Sequence, residues 1–238
     1  MVRPLILLVV PAAMLANTAS ADFYSHRYGG ISVLDSQFSG FCTTNREFVN
    51  SLNSDTQRAT PGACTESKST GWKIYGGWQW TPHWAFEADL RDSGESEHQF
   101  TVVNPRLPGL NVRDRVTTRM GNAFVMGHIP VGRSGLSLFG KIGGGFWLNQ
   151  LTEYQEGEAI FQLLMSDGSS EDVTVPVSGK FRENASGFHW GYGAGVSYHH
   201  RNSWTLRAEW EVFPEVGSDE LRAQHQLESA SIGLSMHF

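Results

Sequence analysis

Ser197, His199 and Glu209 carry the three functional groups of a hydrolytic relay, and they fall on one side of a short stretch of the chain. A serine whose proton passes to a histidine oriented by a carboxylate is the arrangement of nucleophilic catalysis. The spacing argues against that use here. Ser197 and His199 are successive residues on one face of an extended segment, close to a short turn and opposite Arg207. A nucleophile needs its base within hydrogen-bond reach, and this placement does not offer one. His199-His200 also lacks an H-x-x-x-H or comparable metal-ligand spacing. No enzymatic activity and no cofactor are expected; a lipid-modifying enzyme is the most distant alternative.

The other ionisable residues suggest a different chemistry. Lys73, Lys141 and Arg207 stand against Glu87, Asp89, Glu209 and Glu211, and all of them fall on one face of alternating segments, with Arg91 nearer one rim. The charges nearly balance. In a narrow interior such groups must be paired or wetted, because a lone buried charge costs several kcal/mol. One reading is a satisfied ionic plug that fills the space. The other is a network that rearranges to admit water or small ions.

The elements that hold these residues have a period of two. In GWKIYGGWQW, Trp72, Ile74, Gly76, Trp78 and Trp80 face one way, while Lys73, Tyr75, Gly77 and Gln79 face the other. WAFEADL, LSLFGKIGGGFWL, HWGYGAGVSYH, WTLRAEWEVF and the final SASIGLSMHF behave alike, with the charges always on the second face. RMGNAFVMGHI is less clean, because both faces carry apolar residues. With FYSHRYGGISVL, eight strands are found, and no other segment approaches a helical span. Connections near 81–83, 130–135 and 200–203 are short. Those near 35–70, 92–115, 149–187 and 213–227 are long. Strict alternation of long and short places all four long loops at one end of an antiparallel meander. The third is too long for plain coil, so its strands are expected to continue as a hairpin beyond the barrel.

Eight strands with two unlike faces make either a soluble barrel with an apolar pocket or a barrel whose apolar face meets lipid. Three features favour lipid. Trp72, Trp80, Trp84, Trp190, Tyr198 and Trp204 lie at segment ends, where a headgroup belt would be. A register set by the short turns places Gly195 opposite Glu209, Gly193 opposite Glu211 and Gly77 opposite Glu87, as a crowded lumen requires. Finally, the last strand ends at full hydrophobic strength on Phe238, which closure against the first strand explains. The expected fold is an all-β, eight-stranded antiparallel up-and-down transmembrane β-barrel.

The 238 residues carry a formal net charge of -6, which excludes a nucleic-acid partner needing a basic surface. Arg3, the apolar run Leu5 to Leu15 and Ala19-Ser20-Ala21 have the form of a signal peptide, residues 1–21, leaving 22–238 as the barrel domain. The apolar run is shorter than the roughly 20 residues of a spanning helix. Export makes the pair Cys42 and Cys64, 22 positions apart, a candidate disulfide, with two free thiols as the alternative.

FYSHRYGG, GWKIYGGWQWTPHWAFEADL, LFGKIGGGFW, WGYGAGVSY and WTLRAEWE, with the terminal aromatic strand, resemble the OmpA-like membrane barrels of Gram-negative bacteria across nearly the whole mature chain. The resemblance implies an outer-membrane location and a terminal aromatic residue, Phe238, recognised by the barrel-assembly machinery. It also implies that an interior network at Glu87, Lys141, Arg207 and Glu209 is able to open. The sequence stops with the barrel, so no tethering through a peptidoglycan-binding domain is expected. Lipid and lipopolysaccharide are the expected surroundings. The polar loops, acidic in SGESE and SDGSSED, are the candidates for an extracellular ligand. The expected role is structural and surface-exposed, in recognition or adhesion, with a small porin-like conditional pore as the alternative.

Overall fold

The computed structural model describes residues 26–65, 69–132, 134–166, 168–200, 203–218 and 224–238. The expected signal segment and the turn residues Arg201 and Asn202 lie outside them. The order of elements is β1 (His26–Ser39), α1 (Phe41–Ser51), β2 (Arg58–Thr65), β3 (Ser69–Gln79), β4 (Trp84–Asn104), β5 (Leu107–Val131), β6 (Leu136–Leu164), β7 (Ser170–His200), β8 (Trp204–Val216) and β9 (His225–His237).

Eight strands close a ring in the order β1-β3-β4-β5-β6-β7-β8-β9, and β9 pairs back onto β1; every pairing is antiparallel. The seam is fully zipped. Tyr28 opposes His237, Ile31 opposes Leu234, and Phe238 exchanges backbone hydrogen bonds with Arg27. Closure leaves the wall without an edge strand, which a lipid setting demands of a sheet.

Alternation along each strand sends unlike residues to the two sides. Ile31, Ile129, Ile232 and Met236 are 65 to 68 % exposed on the outside, while Lys73, Glu87 and Glu211 are fully buried within. A contiguous band of this kind is inside out for a water-soluble barrel. β5 follows the same rule despite its mixed sequence. Asn122, Phe124 and Met126 point inward, and Val125 and Ile129 outward, because this part of the lumen is itself apolar.

Two of the four long connections are built as strands: that near 92–115, against the expectation of a loop, and that near 149–187, where the expected hairpin beyond the barrel is found. β4 and β5 continue upward to a turn at Pro105-Arg106, and β6 and β7 continue as far as the pair Leu164–Ser170. β8 accompanies β7 only as far as the pair Tyr192–Val212, so about 70 Å of β7 strand length rises above it. SGESE therefore sits within β4, and the last three residues of SDGSSED, Ser170, Glu171 and Asp172, open β7.

The expectation of no further helix also fails. α1 follows β1 directly, entered through Gly40 in the left-handed region at φ 91°. Its buried residues Phe41, Asn45 and Val49 recur every four positions, and the Asn45 amide donates to the Phe41 carbonyl at 2.9 Å. Val49 packs with Ala59 of β2, Phe100 and Val102 of β4 and Val112 of β5. Cys42 of α1 is bonded to Cys64 of β2, and β2 pairs with the upper part of β4.

This bridge closes a loop worth about 3 kcal/mol by the chain-entropy model. A Cys42→Ser/Cys64→Ser variant should retain the barrel but lose the fixed position of α1. Limited proteolysis within residues 40–65 should accelerate at least ten-fold while the heat-modifiable gel mobility of the barrel is unchanged.

Candidate functional site

The inward residues of β3, β4, β6 and β8 meet at mid-height of the lumen. Arg207 holds Glu87 through two bonds of 2.6 and 3.0 Å, and the Tyr28 hydroxyl donates to the same carboxylate at 3.0 Å. Lys141 lies 2.7 Å from Glu209, 2.6 Å from Glu211 and 3.6 Å from Glu87. Lys73 pairs with Glu209 and, at 3.1 Å, with Glu211. Arg91 grips Asp89 at 2.6 and 3.0 Å and Glu211 at 2.7 and 2.9 Å. The side chains of these residues are at most 6 % exposed.

Lys73, Glu87, Asp89, Lys141, Arg207, Glu209 and Glu211, singled out from the sequence, are thus brought together. Arg91, assigned to a rim, sits inside the cluster. With it, four cations face four carboxylates and the charge cancels. Arg91 shares the inward parity of Glu87 and Asp89, a signal the sequence carried. Tyr28, Asn122 and Ser231 were not singled out; Asn122 donates to Asp89 at 2.6 Å and Ser231 to Glu209 at 3.1 Å.

Glycine makes room for the carboxylates. Gly195 stands opposite Glu209, Gly193 opposite Glu211 and Gly77 opposite Glu87. A β-carbon on Gly195 would come within 2.5 Å of the Ala208 carbonyl oxygen and of the Phe139 ring. Aromatic faces supply the remaining contacts: Arg207 lies 4.1 Å from the Tyr75 centroid, Lys141 4.5 Å from Phe124 and Arg91 4.8 Å from Phe213.

Above the charges an apolar cluster shares the lumen with the buried polar pair Thr118 and Asn149. Phe38, Phe41, Met120, Trp147, Phe213 and Leu227 belong to one buried cluster, against which Cys42 and Cys64 pack. Below them, Tyr28, His128, His199, His237 and Arg207 enclose a cavity of about 20 Å³, room for about one water. Ser197, His199 and Glu209 do not form a relay. The Ser197 hydroxyl points at the Ser137 carbonyl oxygen, 3.5 Å away, the His199 ring lies against His237, and Glu209 is held by Lys73, Lys141 and Ser231. Among the described residues no group of three or more His, Cys, Asp or Glu is arranged to hold a metal ion.

On the outer wall, Trp80, Trp84, Tyr198 and Trp204 flank the short turns, whereas Trp72 and Trp190 lie toward the other end. Trp72, Trp84 and Trp190 are each about half exposed, and Tyr198 stacks edge-on to Trp204 at 6.1 Å. Higher on β6, outside the barrel, hydrogen bonding to Lys180 lowers the Tyr154 pKa from its ordinary value.

The family described as "Outer membrane protein beta-barrel domain" matches residues 5–238 of the sequence. Among curated proteins none matches it. Several solved structures are similar at low identity. Ail, the attachment invasion locus protein of Yersinia pestis, is 11% identical over 90% of this chain and 99% of its own, with a TM-score of 0.45. Neisserial surface protein A is 12% identical over 89% of this chain and 97% of its own, at 0.41. OprG from Pseudomonas aeruginosa is 10% identical over 90% and 95%, at 0.37.

Two substitutions probe the interior. Arg207→Met strips Glu87 of its bidentate partner and should cost about 3–5 kcal/mol, seen as a lower urea midpoint for unfolding from lipid; adding Glu87→Leu should restore part of it. Gly195→Ala should cost about 1–3 kcal/mol through overpacking.

Proposed function

Because the chain belongs to the outer-membrane protein β-barrel family and has its place in the cell outer membrane, we propose that it is a sealed barrel that holds an extracellular sheet for recognition at the cell surface. The observation that carries this reading is the double closure of the lumen. A neutral ionic layer fills the middle, and a layer of Phe38, Phe41, Trp147, Phe213 and Leu227 covers it. An eight-stranded barrel is only wide enough for its own side chains. The sheet above it is built of continuous strands, which suits a rigid mount for binding.

In this reading Trp72, Trp80, Trp84, Trp190, Tyr198 and Trp204 form the two headgroup belts, and residues 1–21 are the export signal. Phe238 is the mark that the barrel-assembly machinery recognises. A conditional pore is the second reading, favoured by the exchangeable partners of Lys141, which touches three carboxylates. To conduct, it must displace the apolar layer as well. An enzymatic role has no support in the contacts of Ser197 and His199.

Planar-bilayer recordings test the pair of readings. The folded protein should show no discrete openings, and Glu87→Gln and Arg207→Gln should remain silent. Openings in the parent that change with those substitutions would put the pore first. The recognition role is tested by replacing Ala159–Val175 with an Asn-Gly turn between the register partners Glu158 and Pro176. The shortened protein should fold and insert, yet cells displaying it should lose adhesion to surfaces coated with host matrix protein. Adhesion that survives the shortening would sink the role.

A further inference from the structure

Exposed apolar side chains are explained where the wall meets lipid and call for another explanation above it. Leu148 stands near the top of the apolar band on β6, and beyond it the outward positions turn to Gln150 and Thr152. Phe161 lies about 13 residues further up, or about 40 Å of strand. Yet Phe161 and Phe181 are 51 and 56 % exposed, and Leu163 is 49 % exposed. These residues share a face. Register pairs Leu163 with Glu171, Phe161 with Val173, Ala159 with Val175, Gly157 with Val177 and Glu153 with Phe181. All have the parity of Trp147 and His189, which are buried in the lumen. The strip therefore lines the inner side of the tall ribbon of β6 and β7, turned away from the membrane around the barrel.

A helix already covers the neighbouring part of this side. On β4 and β5, Phe100, Val102 and Val112 carry α1 through Val49. The rows run on without a shift, Val112 opposing Gln155 and Leu110 opposing Gly157. On the ribbon itself Phe161, Leu163, Val175 and Phe181 stay exposed. An apolar sheet face is covered by a second layer, and next door that layer is a helix.

The charges of the strip have one sign. Glu171 closes it at the tip, Glu153 and Glu183 flank Phe181 at the base, and among the described residues no lysine or arginine of β6 or β7 falls on this face. Arg46 and Glu47, both exposed on α1, cancel. At the base, Leu151, Glu153, Gln155, Phe181 and Glu183 line a hollow of about 260 Å³. It has room for one long cationic side chain, its stem on Phe181 and its head between the two carboxylates. A second copy set face to face brings like charges together, so the strip disfavours self-pairing. We propose that this inner face is a docking strip for a cationic amphipathic helix supplied by a partner. From Leu163 to Glu153 it runs about 33 Å, the length of six turns of helix. Apolar residues at helical spacing lie on Phe161, Val175 and Phe181, while lysines or arginines on the flanks meet Glu153, Glu171 and Glu183. The inference rests on the reading of the ribbon as a recognition surface and names the chemistry of what it recognises.

The test uses the full folded protein in nanodiscs of zwitterionic lipid, with peptide uptake by empty nanodiscs subtracted. The probes are two synthetic peptides of about 22 residues, a leucine–lysine amphipathic helix and its leucine–glutamate counterpart. The parent should bind the lysine peptide about ten-fold or more tightly than the glutamate peptide. Phe161→Ser/Val175→Ser should weaken that binding about ten-fold or more. Glu153→Gln/Glu183→Gln should weaken it about three- to ten-fold and flatten its salt dependence. Thr174→Ala, on the outer face of the same ribbon, should leave it unchanged. Equal binding of the two peptides would overturn the strip. So would undiminished binding by Phe161→Ser/Val175→Ser, with gel mobility and circular dichroism matching the parent. A parent that sediments as a dimer without peptide, and as a monomer after the same double substitution, would make the occupant a second copy and overturn the assignment. The point variants keep the ribbon at full length, and peptide binding is read on purified protein. A parent that binds neither peptide therefore sinks this inference while the adhesion lost on shortening at Ala159–Val175 still stands, and adhesion that survives shortening sinks the recognition role by itself.

Discussion

Charge neutrality in a space without bulk water is the constraint on which this molecule depends. Each cation inside the barrel touches at least one carboxylate, and Glu211 touches Lys73, Arg91 and Lys141 together. Removing a member leaves an opposite charge stranded, and a stranded charge costs more than the pair ever contributed. The wall must therefore present these side chains at fixed heights. A slip of one residue in any strand would turn its lumen residues into the lipid. The ionic layer thus specifies register at least as much as it adds stability, and the glycines facing Glu209 and Glu211 are the sites where that register is most tightly tested.

Much of this was legible because a barrel wall has one rule, alternation, and each strand repeats it. Lys73, Glu87, Asp89, Lys141, Arg207, Glu209 and Glu211 declare their side by parity alone. Short turns set the neighbouring registers, so the glycine–glutamate pairs in β8 and β4 could be placed without coordinates. Arg91 was misplaced because height along a tilted strand is not a local property. It depends on the stagger between strands, and Arg91 of β4 finds Glu211 of β8, 120 positions away, only in the closed ring.

The upper region was harder to read for a different physical reason. Outside lipid the outward residues become polar, as with Arg113, Arg115 and Lys180, and inward residues meet α1 instead of a lumen. The contrast between faces that marks a strand then fades, so long strands look like polar loops. α1 was hidden by its composition. Thr43, Thr44 and Asn50 favour other conformations, and its helical period rests on three residues, Phe41, Asn45 and Val49, one of them an asparagine. Tertiary packing against Ala59, Phe100 and Val112 supplies what propensity does not.

The ring of strands is of unequal height. β8, β9, β1 and β3 are 11 to 14 residues long, while β4, β5, β6 and β7 run from 21 to 31. Seen from the end to which the long strands rise, the protein is a blade standing on one arc of its circumference, with a low threshold on the other arc. It therefore has a front and a back within the plane of the membrane. A neighbour packed against the low arc leaves the blade clear, and one packed against the high arc covers its outer wall. What the molecule offers to a partner is set by its azimuth in a crowded membrane as well as by its own residues.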